Sequence, residues 1–344
     1  MTDHPTRRAF TLAAGAGLLL PALGQGVRAE APLRLRCSLD TAPSHLKNVC
    51  VKDYLGKVEA ASDGRIRCEI FESAQLYQDL EVGKALIQGQ IEMAVPGSWS
   101  MTGIVPDADL FQLPVLYGRS MEDIHRVIDG KPGELLNGQI QLKLRSHVVG
   151  RYLDLGHFNW YSAGKPIATL ADLKGMKIRN SGGAGQSWRA RFVGAIPNTT
   201  AWPNVPLSLS QGTFDGLVSS NESLVSAKLW EAGVKYAIED HQFIAEYIPL
   251  VSQAFWDKLG PELQNLMTET WAANVPAYRE RSITAQREAR RTLMQHGVVF
   301  VDPPDGEIAE TRGRMMAEQD QLAKDIKISP QMLQAVMAVA AGFV

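Results

Sequence analysis

Apolar and polar positions alternate along Leu33-Arg-Leu-Arg-Cys-Ser-Leu39, the period-two signature of a strand with one buried face. Residues 40–44, with Pro43 among them, read as a loop. A helix is predicted from about 45 to 61, stopped by Ser62-Asp63-Gly64. Residues 65–71 form the next predicted strand, 79–88 the next helix, closed by Gly89, and Ile91-Glu-Met-Ala-Val95 a third strand. Strand and helix in alternation imply parallel strands with helical crossovers, the α/β class. The alternation resumes at 148–155 and 177–179. Ser181-Gly-Gly-Ala-Gly185 then reads as a turn feeding a helix over 186–193, and Thr213-Phe-Asp-Gly-Leu-Val218 as a further strand and turn. Residues 261–296 are predicted to be mostly helical, kinked at Pro276. With no internal repeat in the chain, the pattern describes two α/β lobes joined by crossing segments.

The first residues carry a different signal. Arg7 and Arg8 lead into a short Ala/Gly/Leu-rich run, and Val27-Arg28-Ala29 places small residues where a signal peptidase reads. A twin arginine before a weakly apolar run resembles a Tat leader, so residues 1–29 are expected to be a signal peptide. Cleavage before Glu30 removes three Arg and one Asp, taking the net charge from −2 to −4.

The 344 residues suit two domains. Without a basic face, nucleic-acid binding is disfavoured. Cys37, Cys50 and Cys68 are too few and too scattered for a disulfide framework or a metal site. Adjacent strands could bridge Cys37 to Cys68, but a protein folded before export passes through a reducing compartment, and buried thiols are the favoured reading. The His residues are dispersed, so neither a metal nor a cofactor is expected.

Short strings follow one another in an order that carries more than any one of them. They are Gly64-Arg-Ile with Ser73-Ala-Gln-Leu76, then Ile87-Gln-Gly-Gln-Ile-Glu-Met-Ala94 leading to Pro106 and Leu113-Pro114. Next come Leu170-Ala-Asp-Leu-Lys-Gly-Met-Lys-Ile-Arg179, Val193-Gly-Ala-Ile-Pro197, Gln211-Gly-Thr-Phe-Asp-Gly216 and the region around His241. Together they resemble the solute-binding proteins of TRAP transporters, the DctP family, over nearly all of residues 33–300. The resemblance implies a periplasmic-binding fold, two lobes closing on a small organic acid and a long helix crossing both. It also implies two partners, a small and a large integral membrane subunit driven by an ion gradient. Lobe I is expected at 30–156 plus 243–282, and lobe II at 157–242 plus 283–344.

Arg179 stands out on chemistry as well. It ends a short strand before a glycine-containing turn, and ligands of open α/β sheets bind outside the carboxyl ends of strands. Its planar, permanently charged fork matches a carboxylate, and the resemblance gives it that role. The resemblance also marks Trp202 as an aromatic pocket position, Asp40 and Asp79 as cleft-facing candidates, and Trp99, after the third strand, as a first-lobe contact. Asn159 falls where relatives often place a second substrate-facing Arg, and Ser219 where they often have Asn, with Leu217 and Val218 before it. One carboxylate anchor and broad apolar walls favour a monocarboxylate with an apolar or aromatic body, bound by a monomer.

An enzyme is disfavoured, because the Ser and His residues occur in no nucleophile or triad context. The glycines of 181–185 lack the lysine ending of a phosphate loop. The same fold docking on a sensor in place of a transporter stays open at this level.

Overall fold

The computed structural model describes residues 31–343. The leader segment read from Arg7, Arg8 and residues 27–29 lies outside them. In chain order the first elements are β1 (Leu33–Ser38), α1 (Leu46–Ala61), β2 (Ile66–Phe71), α2 (Asp79–Ile87), β3 (Met93–Ala94), α3 (Met121–Ile128), α4 (Lys131–Leu144) and β4 (Ser146–Val148). Then come β5 (Leu153–Ala163), β6 (Lys177–Asn180), α5 (Ala184–Phe192), β7 (Ile196–Thr199), α6 (Val205–Ser210), β8 (Gly216–Ser219) and α7 (Asn221–Ser226). The rest are β9 (Val234–Tyr247), β10 (Leu250–Ser252), α8 (Gln253–Gln295), β11 (Val299–Val301), α9 (Asp305–Met316), α10 (Gln319–Asp325) and α11 (Pro330–Ala340).

The strands form two sheets, ordered β2-β1-β3-β10-β4 and β11-β9-β5-β8-β6-β7. In the first, β1 runs parallel to both β2 and β3, as the strand–helix alternation predicts. Leu35 and Cys37 point into the core. The His45 side chain starts α1 by accepting the Lys47 amide at 3.1 Å. Asp63 and Gly64 stop it with left-handed φ of 51° and 74°, a conformation that Gly takes at no steric cost. Although β1 and β2 are neighbours, Cys37 lies opposite Ile70, and Cys68 opposite Leu35. The thiols are therefore two residues out of step, and all three cysteines are free.

Three segments connect the sheets. The chain passes from β4 into the long β5, returns from the long β9 into β10, and then runs along α8. Strands β5 and β9 pair antiparallel from Leu153↔Tyr247 to Ala163↔Val234, with irregularities at Asp154/Gly156, Phe158/Trp160 and Ser162/Ala163. Helix α8 packs on β4 and β10 of the first sheet and on β5 and α7 of the second. Met267, Trp271 and Val275, spaced by four, are fully buried. Trp271 meets Tyr54 of α1 edge-on at 5.0 Å, and the Tyr54 hydroxyl donates to Met267 O. Each such side chain contributes roughly 1.5–3 kcal/mol of burial, so this seam fixes the crossing helix against the first lobe.

Two features of the helices lie beyond the sequence reading. The break in α8 falls at Gly260, with φ 69° and ψ 165°, while Pro276 sits within helical backbone. Gly260 can take the left-handed conformation freely, so the chain turns there, and Pro261 begins the second arm at a helix start where it lacks no needed donor. The tail of the chain also differs: α11 packs against α3 and α4, beside the first sheet. Its Met332, Val336 and Ala340 join the same core as Leu136 and Ile140, whereas the sequence reading placed all of 283–344 in the second lobe.

Candidate functional site

Arg179 lies at the penultimate position of β6, before Asn180, and Ser181, Gly182 and Gly183 form the turn into α5. Its side chain is almost wholly buried, at 1% exposure. Nε donates to Thr200 O at 2.9 Å and Nη1 to Ser181 Oγ at 3.0 Å. Among the described residues, Nη2 has no hydrogen-bond partner. The guanidinium carbon lies 5.4 Å from the centre of the Trp202 ring, which flanks it as a cation–π neighbour. Burial pulls the Arg179 pKa down to about 10, with Asp79, Asp40 and Tyr247 opposing that shift. The cation is thus held rigidly, dry and still charged at neutral pH.

The first sheet supplies the opposite wall. Asp79 begins α2 and is buried, and burial followed by repulsion from Asp40 lifts its pKa to about 6. Asp40 pairs with the buried Lys47 ammonium, whose Nζ also sits 4.2 Å from the centre of the Tyr247 ring. Trp99 lies 5.7 Å from Tyr247 and 5.5 Å from Phe158, and Phe158 packs in turn on Phe243 at 5.0 Å. The result is an aromatic wall beside the Asp40–Lys47 pair. Gly182, at φ 138°, faces Trp99 and Leu80 so closely that an added Cβ would lie 3.1 Å from the Leu80 side chain. The positive φ, more than that approach, is why the turn after Arg179 favours glycine.

The structure therefore gathers Arg179, Trp202, Asp79, Asp40 and Trp99. For Asn159 the structure records partners elsewhere, and for Ser219 its place in a strand ladder. They sit opposite each other in the β5–β8 ladder, and Asn159 Oδ1 accepts the His241 amide at 3.1 Å. Asn159 lines a separate cleft of about 300 Å³ with Gln286, Arg287 and Arg290 of α8. Phe158, one residue earlier, is the one that reaches Trp99. The β5–β9 register shifts between Phe158 and Trp160, and a one-residue slip exchanges the two faces of a strand. Sequence spacing could not show that bulge. Phe158, Tyr247 and Asp109 were missed for this reason or because they lie in stretches with no motif.

Two further contacts tie elements of the first sheet to elements of the second. Asp109, in the turn Pro106–Gln112, accepts the Gly185 amide at the start of α5 at 2.8 Å. Burial raises the Asp109 pKa to about 6. On the other side, Glu222 of α7 accepts the Leu46 amide at 2.9 Å, and burial raises its pKa to about 7. The His45 ring Nε2 lies 3.1 Å from both Ser223 Oγ and Glu222 Oε2, the latter off the line of a hydrogen bond.

A Ser, a His and a Glu in one place suggest a hydrolytic triad, and the geometry rejects it. Both partners meet the same ring nitrogen, while Nδ1 is used by the Lys47 amide. A relay needs the base between nucleophile and carboxylate, one on each nitrogen. Burial also holds the His45 pKa well below its usual value.

Two lobes carried by two sheets, closed around a buried guanidinium, define a solute-binding clamp. The family model for DctP, described as bacterial extracellular solute-binding protein family 7, matches residues 38–325, and the chain belongs to that family. It is a periplasmic binding protein and not an enzyme. Among its relatives, the C4-dicarboxylate-binding periplasmic protein DctP of Rhodobacter capsulatus is 25% identical over 268 residues, covering 78% of this chain and 79% of that one. The 2,3-diketo-L-gulonate-binding periplasmic protein YiaO of Escherichia coli K12 is 23% identical over 304 residues, covering 88% and 90%. A TRAP periplasmic solute-binding protein of Desulfovibrio salexigens, solved with orotic acid, superposes with a TM-score of 0.83 at 19% identity, over 90% of this chain and 99% of that one. One from Sulfurospirillum deleyianum, solved with succinate, gives 0.81 at 22%, over 90% and 100%. No helix among the described residues is long and apolar enough to cross a membrane.

Proposed function

We propose that this protein captures an organic monocarboxylate with an apolar or aromatic body, working as a monomer, and delivers it to the two membrane subunits of a TRAP transporter. The observation that carries the reading is Arg179, buried and charged, with Nη2 directed to no protein acceptor. The guanidinium grips the carboxylate, and Trp202 covers its flank. Trp99, Phe158 and Tyr247 supply the surface on which a flat or greasy body rests. Lys47, the other buried cation nearby, is engaged by Asp40, so a second carboxylate on the solute would lack a free partner. An unpaired buried charge is costly. Asn159 and Ser219 take no part in this reading.

The lobes are taken as 30–156 with 243–282 and 157–242 with 283–329, and helix α11 is added to the first. Calorimetric titration with succinate, a short keto-acid and an aromatic monocarboxylate tests the proposal. The aromatic acid should bind tightest; tightest binding of succinate would overturn the single-anchor reading. Export is assigned to Arg7 and Arg8 as a Tat signal. A variant with Lys at both positions should accumulate uncleaved in the cytoplasm, and normal periplasmic yield would refute that assignment.

A further inference from the structure

Asp79 is buried, yet its Oδ1 has no hydrogen-bond partner among the described residues. A desolvated carboxylate oxygen left unmatched is costly, and the neighbouring groups do not relieve it. Lys47 is committed to Asp40. Arg179 feels the Asp79 charge, and Asp79 is the foremost electrostatic support of that guanidinium, but no ion pair joins them. The two opposite charges are therefore near neighbours without a direct bond. The indole Nε1 of Trp99, a donor, is also buried without an acceptor. The site thus offers a spare guanidinium N–H, a spare indole N–H and, on the other wall, a spare carboxylate oxygen.

A plain carboxylate satisfies only the donors. We infer that the solute also carries a hydrogen-bond donor, a hydroxyl or an ammonium, on the carbon next to its carboxylate, and that Asp79 Oδ1 receives it. This rests on the reading of Arg179 as carboxylate anchor. With the carboxylate held by Arg179, a substituent on the adjacent carbon points toward the opposed wall, where Asp79 waits at the first turn of α2. A keto oxygen at that carbon is an acceptor and would meet Asp79 oxygen to oxygen, which is repulsive. An unsubstituted methylene leaves the orphan as it is. Selectivity therefore follows the donor and is set by Asp79, a specificity residue distinct from the anchor.

The test compares four acids on one skeleton: 3-phenylpropanoate and its 2-oxo, 2-hydroxy and 2-amino derivatives, titrated into the mature protein. The same four derivatives of 4-methylpentanoate cover an aliphatic body. A hydrogen bond to an ionised group is worth roughly ten- to a hundredfold in affinity. The 2-hydroxy or the 2-amino acid should thus bind at least about tenfold tighter than both the 2-oxo and the unsubstituted acid. In Asp79→Ala that ratio should shrink to about threefold or less. Equal affinities across the four acids in the wild-type protein, which needs no variant to fold, would overturn the inference while leaving the anchor standing. A preference that survives Asp79→Ala would overturn it too. If no acid of either series binds, the anchor reading falls, and this inference with it.

Discussion

Arg179→Ala lowers the affinity for the carboxylate solute by a hundredfold or more, with the fold retained. Truncation removes the partner of a buried charge, which costs roughly 3–5 kcal/mol, and each ~1.4 kcal/mol is tenfold. The effect is large because the guanidinium is prepared in advance. Thr200 O and Ser181 Oγ fix its plane, and Trp202 limits its motion, so little freedom is lost on binding. Folding tolerates the loss because burial already opposes the charge of the free residue. Arg179→Lys rescues poorly, since an ammonium is a point charge that cannot hold both Thr200 O and a carboxylate in one plane. Calorimetry on the variant reads the result directly. A loss smaller than about fivefold would place the anchor on another residue.

Arg279→Ala has the largest expected effect on stability. Arg279, in the second arm of α8, donates to both oxygens of Asp129 at 2.6 and 3.0 Å and to Tyr152 O at 2.9 Å. Its Nε lies 3.6 Å from the buried Asp154, which also meets His125 at 2.9 Å. Glu246 stands opposite Asp154 in the β5–β9 ladder, fully buried, with neither oxygen matched by a donor. Without Arg279, three carboxyl groups lose their shared cation. The expected cost is roughly 3–5 kcal/mol, a drop of about 4–8 °C in Tm for a chain of this size. An unchanged melting curve would show that the cluster is neutralised by other means.

The same cluster makes stability fall as pH rises. Burial, then the Asp154 charge, holds the Glu246 pKa well above the usual 4.5, so the folded state binds its proton more tightly than the unfolded chain. The stability linked to that proton is complete below the unfolded value and is lost as pH climbs through the folded one. Glu246→Gln keeps a donor toward Asp154 and removes the titration. Its Tm advantage over wild type should therefore be near zero at pH 4 and grow as pH rises above about 4.5. A constant difference across pH would exclude Glu246 as the titrating group.

The opening of the chain was legible because each local signal agreed with its neighbours. Residues 33–89 alternate cleanly, and Gly64 and Gly89, both at positive φ, close the helices the pattern predicts. Arg179 was legible for a chemical reason, as a fork at the end of a short strand before a glycine turn. Strand β9 was not. Its buried positions include Glu239, Asp240, Gln242 and Glu246. Their partners come from distant segments: Tyr117 and Trp160 bond Asp240, and Arg290 pairs with Glu239. A strand whose core is polar shows no period-two pattern in hydropathy. Phe158 was hidden by one bulge, and α11 by its distance in sequence from the helices it covers.

The contacts that join the lobes away from the anchor have a kinetic consequence. Asp109 to the Gly185 amide and Glu222 to the Leu46 amide are protein-to-protein latches, placed on different elements from Arg179. They lower the free energy of the shut clamp whichever solute is inside. Capture then needs less of the solute's own interaction energy to shift the population, and tight retention follows even for a small acid. The reverse journey bears the burden. Lobes that part here must break both contacts as well as the grip of Arg179. A membrane subunit that prises either latch open would thus act as a release factor, turning a slow spontaneous escape into a timed hand-over.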